Sequence, residues 1–468
     1  MAFLIKDGII VNRGKSLKGS IFILSDKIDK IIYENEFPNK EEYNLFIKKI
    51  IDSKPNSSSE QIEIIEAAGL HILPGVIDDQ VHFREPGAEH KATIESESKA
   101  AVLGGVTSFM DMPNNNPPTT TIEAVLNKNN IAKIKSYANF AFYLGATNDN
   151  ISEILAADTN KICGVKVFMG SSTGNMLVDN PIALKNIFSL SPIPVVTHCE
   201  EESIIQNNLK KFREKYGDNI PFEAHPLIRS REACIECSKK AIELACKYNT
   251  DLHILHISTA DEIDMIKKAQ ETNNKITGEI CVHYLWFNSK DYKKYGSYVK
   301  CNPAIKEPSD QEALINGLKK GIVSIVATDH APHLKEEKDN KYLSAPSGLP
   351  LIRHSLQMMI EFVHKGIFTI EEVVKYMCHA PSDRFKIKER GYIEQGYFAD
   401  LTIIDINKQD TLSMVNPPYK CGWTPLRETI FNSSIIHTFV NGVLVVKNST
   451  LTKNKKAMPL EFERNNNN

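Results

Sequence analysis

Gly75-Val-Ile-Asp-Asp-Gln-Val-His-Phe-Arg-Glu-Pro-Gly87 is an apolar run that ends in alternating polar side chains, the pattern of a strand leaving a barrel at its functional edge. Side chains two apart on a strand share a face, so Asp78, Gln80 and His82 point the same way. A metal site can begin at such an edge.

Downstream of this stretch, apolar strand-like runs recur at 76–83, 106–112, 139–144, 164–169, 194–197, 252–256, 276–282 and 322–328, with helical segments between them. Strand and helix units in series predict an α/β fold, a TIM-like (β/α)8 barrel whose site forms at the C-terminal edge of the strands. Upstream, short strand signals at 3–5, 20–24 and 62–65 are interrupted by a polar Lys/Asn/Ser-rich stretch at about 34–60, read as a partly helical insertion or loop. Beyond residue 370 a helical segment ends near His379-Ala-Pro-Ser-Asp-Arg384, and strand signals return at 391–405 and 435–446. Asn441-Gly442 between apolar strands predicts a tight hairpin. The expected organisation is therefore a barrel over 71–385 and a small β-sandwich domain built from both chain ends, 1–70 and 386–464. Asn465–Asn468 reads as a frayed end.

Composition narrows the class. Hydrophobic residues make up 42% and charged residues 24% of 468, as in a globular protein with a large core. A net charge of -2 offers no field for nucleic acid or an anionic membrane, and no apolar stretch is long enough to span a bilayer. A small-molecule substrate fits better. Nine cysteines without a secretory segment ahead of them predict reduced thiols and a cytoplasmic protein. Cys234-Ile-Glu-Cys237 has no second pair and lies in a helical pattern, so it reads as two helix cysteines rather than a zinc or redox motif.

Ionisable residues fall at the predicted strand ends: His82 on the first, Lys166 within the fourth, His198 on the fifth, His256 on the sixth and Asp329 after the eighth. A single strand-end histidine is usually satisfied by ordinary hydrogen bonds, and Thr-Asp-His can be a loop cap. Their joint placement on one barrel edge suits a zinc hydrolase, which needs imidazole and carboxylate ligands on rigid strand ends around an open position for water.

The motifs Asp-Gln-Val-His-Phe-Arg-Glu-Pro-Gly, Met-Pro-Asn, Val-Lys-Val-Phe-Met, Thr-His-Cys-Glu, Leu-His-Ile-Ser-Thr, Cys-Asn-Pro-Ala-Ile-Lys and Ala-Thr-Asp-His-Ala-Pro-His, in that order over 75 to about 348, resemble those of the dihydroorotases in the cyclic amidohydrolase superfamily. The resemblance implies reversible, zinc-dependent cyclisation of N-carbamoyl-L-aspartate to L-dihydroorotate in pyrimidine biosynthesis. It implies His198 and His256 on one zinc, His82 and Asp329 on another, and a carboxylated Lys166 as bridge. Many relatives use instead an Asp a few residues later, where this chain has Gly170-Ser171-Ser172. Asp329 is implied as the catalytic proton carrier. Arg84, with Asn114 and His333, would hold the substrate carboxylate, Asn302 the ring, and Ser347 and Gly348 would lie in the segment that covers it. The alternative for Arg84 is an ion pair with Glu85. Relatives of this kind are dimers or tetramers, so a homo-oligomer is implied as well.

One position departs from the pattern. The family carries Asp-x-His-x-His-x-Arg, and this chain has Gln80 at the first histidine. A neutral amide carbonyl is a poorer zinc ligand than imidazole, so one firm zinc, or two of unequal affinity, is expected. Two other readings stay open: a hydantoinase or allantoinase type of cyclic amidohydrolase, and a non-catalytic homologue with an assembly role.

Overall fold

The computed structural model describes residues 2–52, 62–170, 176–410 and 419–464. Eight parallel strand positions form a barrel: Val76–Val81, Val106–Asp111, Asn139–Phe142 continued by Leu144–Gly145, Val165–Phe168, Val195–His198, Leu252–Ile254, Thr277–Cys281 and Ile325–Ala327. Each lies where the apolar runs predict it. The third is broken at Tyr143: its first part pairs with the second strand and its last part with the fourth. The ring closes between the eighth strand and the first, where the His82 amide donates to the His330 carbonyl at 2.7 Å.

Both faces of these strands are covered, and so they read as apolar runs rather than alternating ones. Val76–Val81 is buried along its whole length. Helices on the outside begin close to the loops that carry the site. Thr93, Thr121 and Thr259 each accept a backbone N–H of the first turn, a cap that fixes where the chain turns from loop to helix. Thr259 is three residues past His256, so its cap limits the freedom of that loop. At the other end of the barrel Phe385, Leu460 and Phe462 pack against Ile77, Tyr143 and Ile325.

Strands from both chain ends share one nine-stranded sheet, in the order Thr450–Leu451, Val443–Lys447, Ser434–Val440, Leu401–Asp405, His71–Pro74, Ala2–Asn12, Lys15–Leu24 and Lys27–Tyr33, with Ile62–Glu66 beside Ala2–Asn12. The ends join where His71–Pro74 runs antiparallel to Leu401–Ile404, so this sheet takes in four residues that the sequence reading assigns to the barrel. Phe3, Ile5, Ile21, Leu401, Ile403 and Phe439 form its shared core. In the polar insertion, Lys40–Asp52 is a helix whose Tyr43, Ile47 and Ile50 cover Leu4, Phe22 and Ile32. At the hairpin, Asn441 and Gly442 both have positive φ, 48° and 72°, as a type I′ turn requires. The expected fraying of 465–468 lies outside the described residues, as do Ser171 and Ser172.

All nine cysteines are free, eight of them buried. Cys234 and Cys237 sit in the helix Arg231–Tyr248, as the sequence pattern predicts. Among the described residues, no helix is long and apolar enough to cross a membrane.

Candidate active site

A cavity of about 310 Å³ opens at the C-terminal edge of the barrel. Gln80, His82, Arg84, Asn114, Lys166, His198, His256, Asn302, Asp329, His333, Ser347 and Gly348 all line it. The tertiary structure thus brings every sequence candidate to one place. It adds Phe168, Ala331 and Pro346 to the wall.

Three of these residues have backbones in the left-handed region: Arg84 at φ 67°, His256 at 41° and Asp329 at 49°. For non-glycine residues this costs roughly 1–3 kcal/mol each and persists where the surroundings enforce it. Here it bends the chain as it leaves the first, sixth and eighth strands, turning those side chains toward the axis.

The ionisable groups stand as two pairs with a lysine from the fourth strand. His198 Nδ1 lies 3.0 Å from His256 Nε2. His198 Nε2 donates to Glu200 at 2.9 Å, and Arg229 also donates to that carboxylate oxygen. Burial raises the pKa of Glu200, but Arg229 and His198 outweigh it and bring it down to about 2. Glu200 therefore stays ionised and selects the His198 tautomer whose Nδ1 lone pair faces His256. The carboxylate–imidazole pairing is common behind metal-binding histidines. Burial, with the charges of His198 and Lys166, holds the His256 pKa well below its ordinary value.

His82 Nδ1 donates to Asn114 Oδ1 at 2.7 Å, which turns Nε2 toward Asp329 Oδ1 at 3.0 Å. A ring lone pair facing a carboxylate calls for a cation or a second ring proton between them. Burial works against the charge of Asp329, yet its contact with His82 and the charges of His82, His283 and Lys166 keep its pKa below the usual carboxylate value. Gln80 meets the same oxygen as a donor, Nε2 to Oδ1 at 3.2 Å, while its carbonyl oxygen receives the Cys281 thiol at 3.7 Å. Gln80 thus reaches the wall with its amide nitrogen foremost.

Lys166 is 1% exposed. Among the described residues its Nζ has no hydrogen bond or ion pair, and it lies 4.6 Å from the centre of the Phe168 ring. Burial lowers its pKa to about 8, more than Asp329 and Glu279 raise it. The donors fit a metal: two neutral imidazole nitrogens, a third beside an ionised carboxylate, and a lysine partly in its neutral form. The pairing follows from topology, since strands five and six are neighbours and strands eight and one are neighbours. No three of these histidines and carboxylates converge as closely as the fully buried Asp79, His253 and Glu279, whose ligand atoms lie within 4.8 Å of one another.

Arg84 stands on the cavity wall. Arg84 donates from Nε to the Pro332 carbonyl at 3.1 Å, and its Nη2 lies 3.1 Å from His333 Nε2. It does not pair with Glu85. That carboxylate faces away, taking Lys135 and the Ile94 amide as partners. Asn302 Oδ1 is buried without a hydrogen-bond partner. The Ser347–Gly348 backbone is fixed from below by Lys338, which donates to the carbonyls of Pro346 at 2.9 Å and Gly348 at 3.0 Å. Gly348, at φ 144°, lies so close to Ala331 that a Cβ would meet its carbonyl oxygen at 2.4 Å.

Sequence reasoning missed Glu200, Arg229, Phe168 and Lys338. Glu200 was within reach, because it shares a strand-end alternation with His198. Phe168 was too, two residues after Lys166 on the fourth strand, while Arg229 and Lys338 join the site only through tertiary contact. His283 was missed as well: it is buried, and burial lowers its pKa to about 4, more than Asp329 and the Thr328 backbone raise it.

The sequence profile of the amidohydrolase family matches residues 71–445. The chain is 30% identical over 431 residues to a dihydroorotase from Methanosphaera stadtmanae, covering 92% of this chain and 96% of that one. It is 32% identical over 403 residues to a dihydroorotase from Bacillus cytotoxicus, covering 85% and 92%. Among solved structures, an L-hydantoinase (dihydropyrimidinase) from Arthrobacter aurescens superposes with a TM-score of 0.87 at 24% identity, covering 97% of this chain and 98% of that one.

Proposed function

Because the chain belongs to the amidohydrolase family, we propose that it is a zinc-dependent dihydroorotase, closing N-carbamoyl-L-aspartate to L-dihydroorotate and reopening it. The observation that carries this reading is Arg84, a guanidinium on the cavity wall with no carboxylate partner among the described residues. A ring bearing a carboxylate answers it, because guanidinium–carboxylate pairing is strong and directional. An uncharged hydantoin ring leaves that charge unmatched. Asn114 orients His82, His333 and the Ser347–Gly348 backbone complete the anion side, and Asn302 Oδ1 is free to accept a ring N–H.

His198 and His256 would hold one zinc, His82 and Asp329 the other, and Lys166 would join them as a carbamate after its neutral amine adds carbon dioxide and releases a proton. Bound zinc supplies a water acidic enough to react near neutral pH and a positive centre for developing negative charge. Asp329 takes the proton of the attacking water as the water meets the ring carbonyl, and returns it to the departing nitrogen. Arg84 holds the substrate carboxylate so that the scissile amide faces Asp329.

The test is a steady-state assay of zinc-supplemented protein with L-dihydroorotate and N-carbamoyl-L-aspartate beside Asp329→Ala. Turnover that vanishes in the variant is expected. Turnover of hydantoin or allantoin alone moves the substrate class, and silence on every ring with zinc bound favours a non-catalytic homologue.

A further inference from the structure

Below the cavity, nearer the other end of the barrel, three strands turn ionisable side chains into its interior. Asp79 precedes Gln80 on the first strand, His253 lies three residues before His256 on the sixth, and Glu279 lies two before Cys281 on the seventh. None has exposed surface. The edge of the Phe385 ring packs on His253 at 5.7 Å.

Their ligand atoms lie within 4.8 Å of one another. The Thr277 hydroxyl oxygen accepts from Arg384 Nε at 2.6 Å and stands 3.3 Å from the Leu252 carbonyl. His253 Nδ1 lies 2.8 Å from that hydroxyl oxygen, and either atom can carry the proton between them. His253 Nε2 lies 3.2 Å from Glu279 Oε2 and 3.7 Å from Asp79 Oδ2, so one imidazole faces two carboxylates. Among the described residues, no side chain but the carboxyl of Glu279 stands as a hydrogen-bond partner for the Asp79 oxygens. Buried carboxylates persist when they are paired, neutralised or bound to a metal. Of the nearby cations, Arg384 Nη2 stands 2.8 Å from Asp251 and Lys166 Nζ lies against Phe168 in the cavity above, and among the described residues neither makes an ion pair with Asp79 or Glu279.

We propose that Asp79, His253 and Glu279 form a buried site for a divalent transition-metal ion of the zinc class, separate from the cavity's own donors. One imidazole and two carboxylates on rigid strands match the ligand preference of zinc. The ion ties the first, sixth and seventh strands together immediately below Gln80 and His256. Glu279 Oε1 also accepts the His256 amide at 3.4 Å, so the ion helps set the backbone from which His256 departs. With no exposed surface, the site is filled as the chain folds.

The test removes the cavity's imidazoles so that this site is read by itself. The full chain carrying His82→Asn, His198→Asn and His256→Asn is unfolded in chelator, refolded with zinc, desalted and analysed for metal by mass spectrometry. One zinc per chain is expected, falling to none when Asp79→Asn is added. Loss of zinc already in the triple variant overturns the site and leaves a proton shared between Asp79 and Glu279 in its place. Retention of zinc after Asp79→Asn overturns it too. Should the Asp79 variant fail to fold, X-ray absorption at the zinc edge of the triple variant decides: one imidazole with oxygen ligands supports the site, and two imidazoles or any sulfur overturn it. None of these outcomes depends on the substrate assigned above.

Discussion

Gln80 donates its side-chain amide to Oδ1 of Asp329 at 3.2 Å, the same oxygen that His82 Nε2 approaches at 3.0 Å. The glutamine therefore steadies the carboxylate and presents no carbonyl to an ion beside it. An imidazole at this position would add a ligand to the His82–Asp329 side of the cavity. We expect Gln80→His to tighten the weaker zinc by at least the roughly 10–100-fold that outer-shell partners govern, giving two zincs of equal affinity by calorimetric titration. Two equally tight zincs in the unaltered protein would remove the basis for this expectation.

Glu200, ionised and buried between His198 and Arg229, fixes which His198 nitrogen carries the lone pair. Glu200→Gln releases that choice while keeping the volume. Zinc affinity at the His198–His256 pair should fall roughly 10–100-fold, measured by chelator competition. Glu201→Gln, which loses the surface ion pair with Lys240 and keeps an oxygen for the Ser203 hydroxyl, should leave it unchanged.

Arg84→Lys keeps the charge and loses the planar fork. A hydrogen bond to a charged group contributes about 1.5–3 kcal/mol, so KM for N-carbamoyl-L-aspartate should rise about 10–100-fold with a smaller change in kcat. A fall in kcat at constant KM would place Arg84 in the chemistry instead of in binding.

His354 gives a pH signature distant from the cavity. Its Nδ1 lies 2.9 Å from the Tyr419 hydroxyl, and burial, with Arg353 beside it, lowers its pKa to about 3 from 6.5. The folded form leaves this ring neutral, whereas the unfolded chain protonates it below about pH 6.5. Its share of the stability is present above that pH and is lost as the pH falls toward 3, at up to about 1.4 kcal/mol per pH unit. Urea denaturation between about pH 6 and 4 should show a shallower loss in His354→Gln than in the unaltered chain.

The barrel was legible because both faces of its strands are covered, which writes each one into the sequence as a short apolar run bounded by turn residues. The small domain was only partly legible. Lys27–Tyr33 alternates weakly and escaped notice, and His71–Pro74 is an apolar run like those of the barrel, one residue from the first of them. Only its pairing with Leu401–Ile404 assigns it to the end sheet.

The same division runs through the site. His82, Lys166, His198, His256 and Asp329 could be read from the chain because strand ends are local features, and their residue types are those that a metal-hydrolase edge would use. The partners that set their state could not. Glu200 is bound to Arg229, 29 residues away, Arg84 to His333 across 249, and Asp79 stands near His253 across 174. Hydrogen-bond geometry, tautomer and pKa depend on distances of a few ångströms and on exclusion of water, and neither exists until the barrel closes. The sequence by itself determined the fold class and which residues reach the cavity; the tertiary structure decided what each of them faces there, because electrostatic interactions in a dry interior act through space and not along the chain.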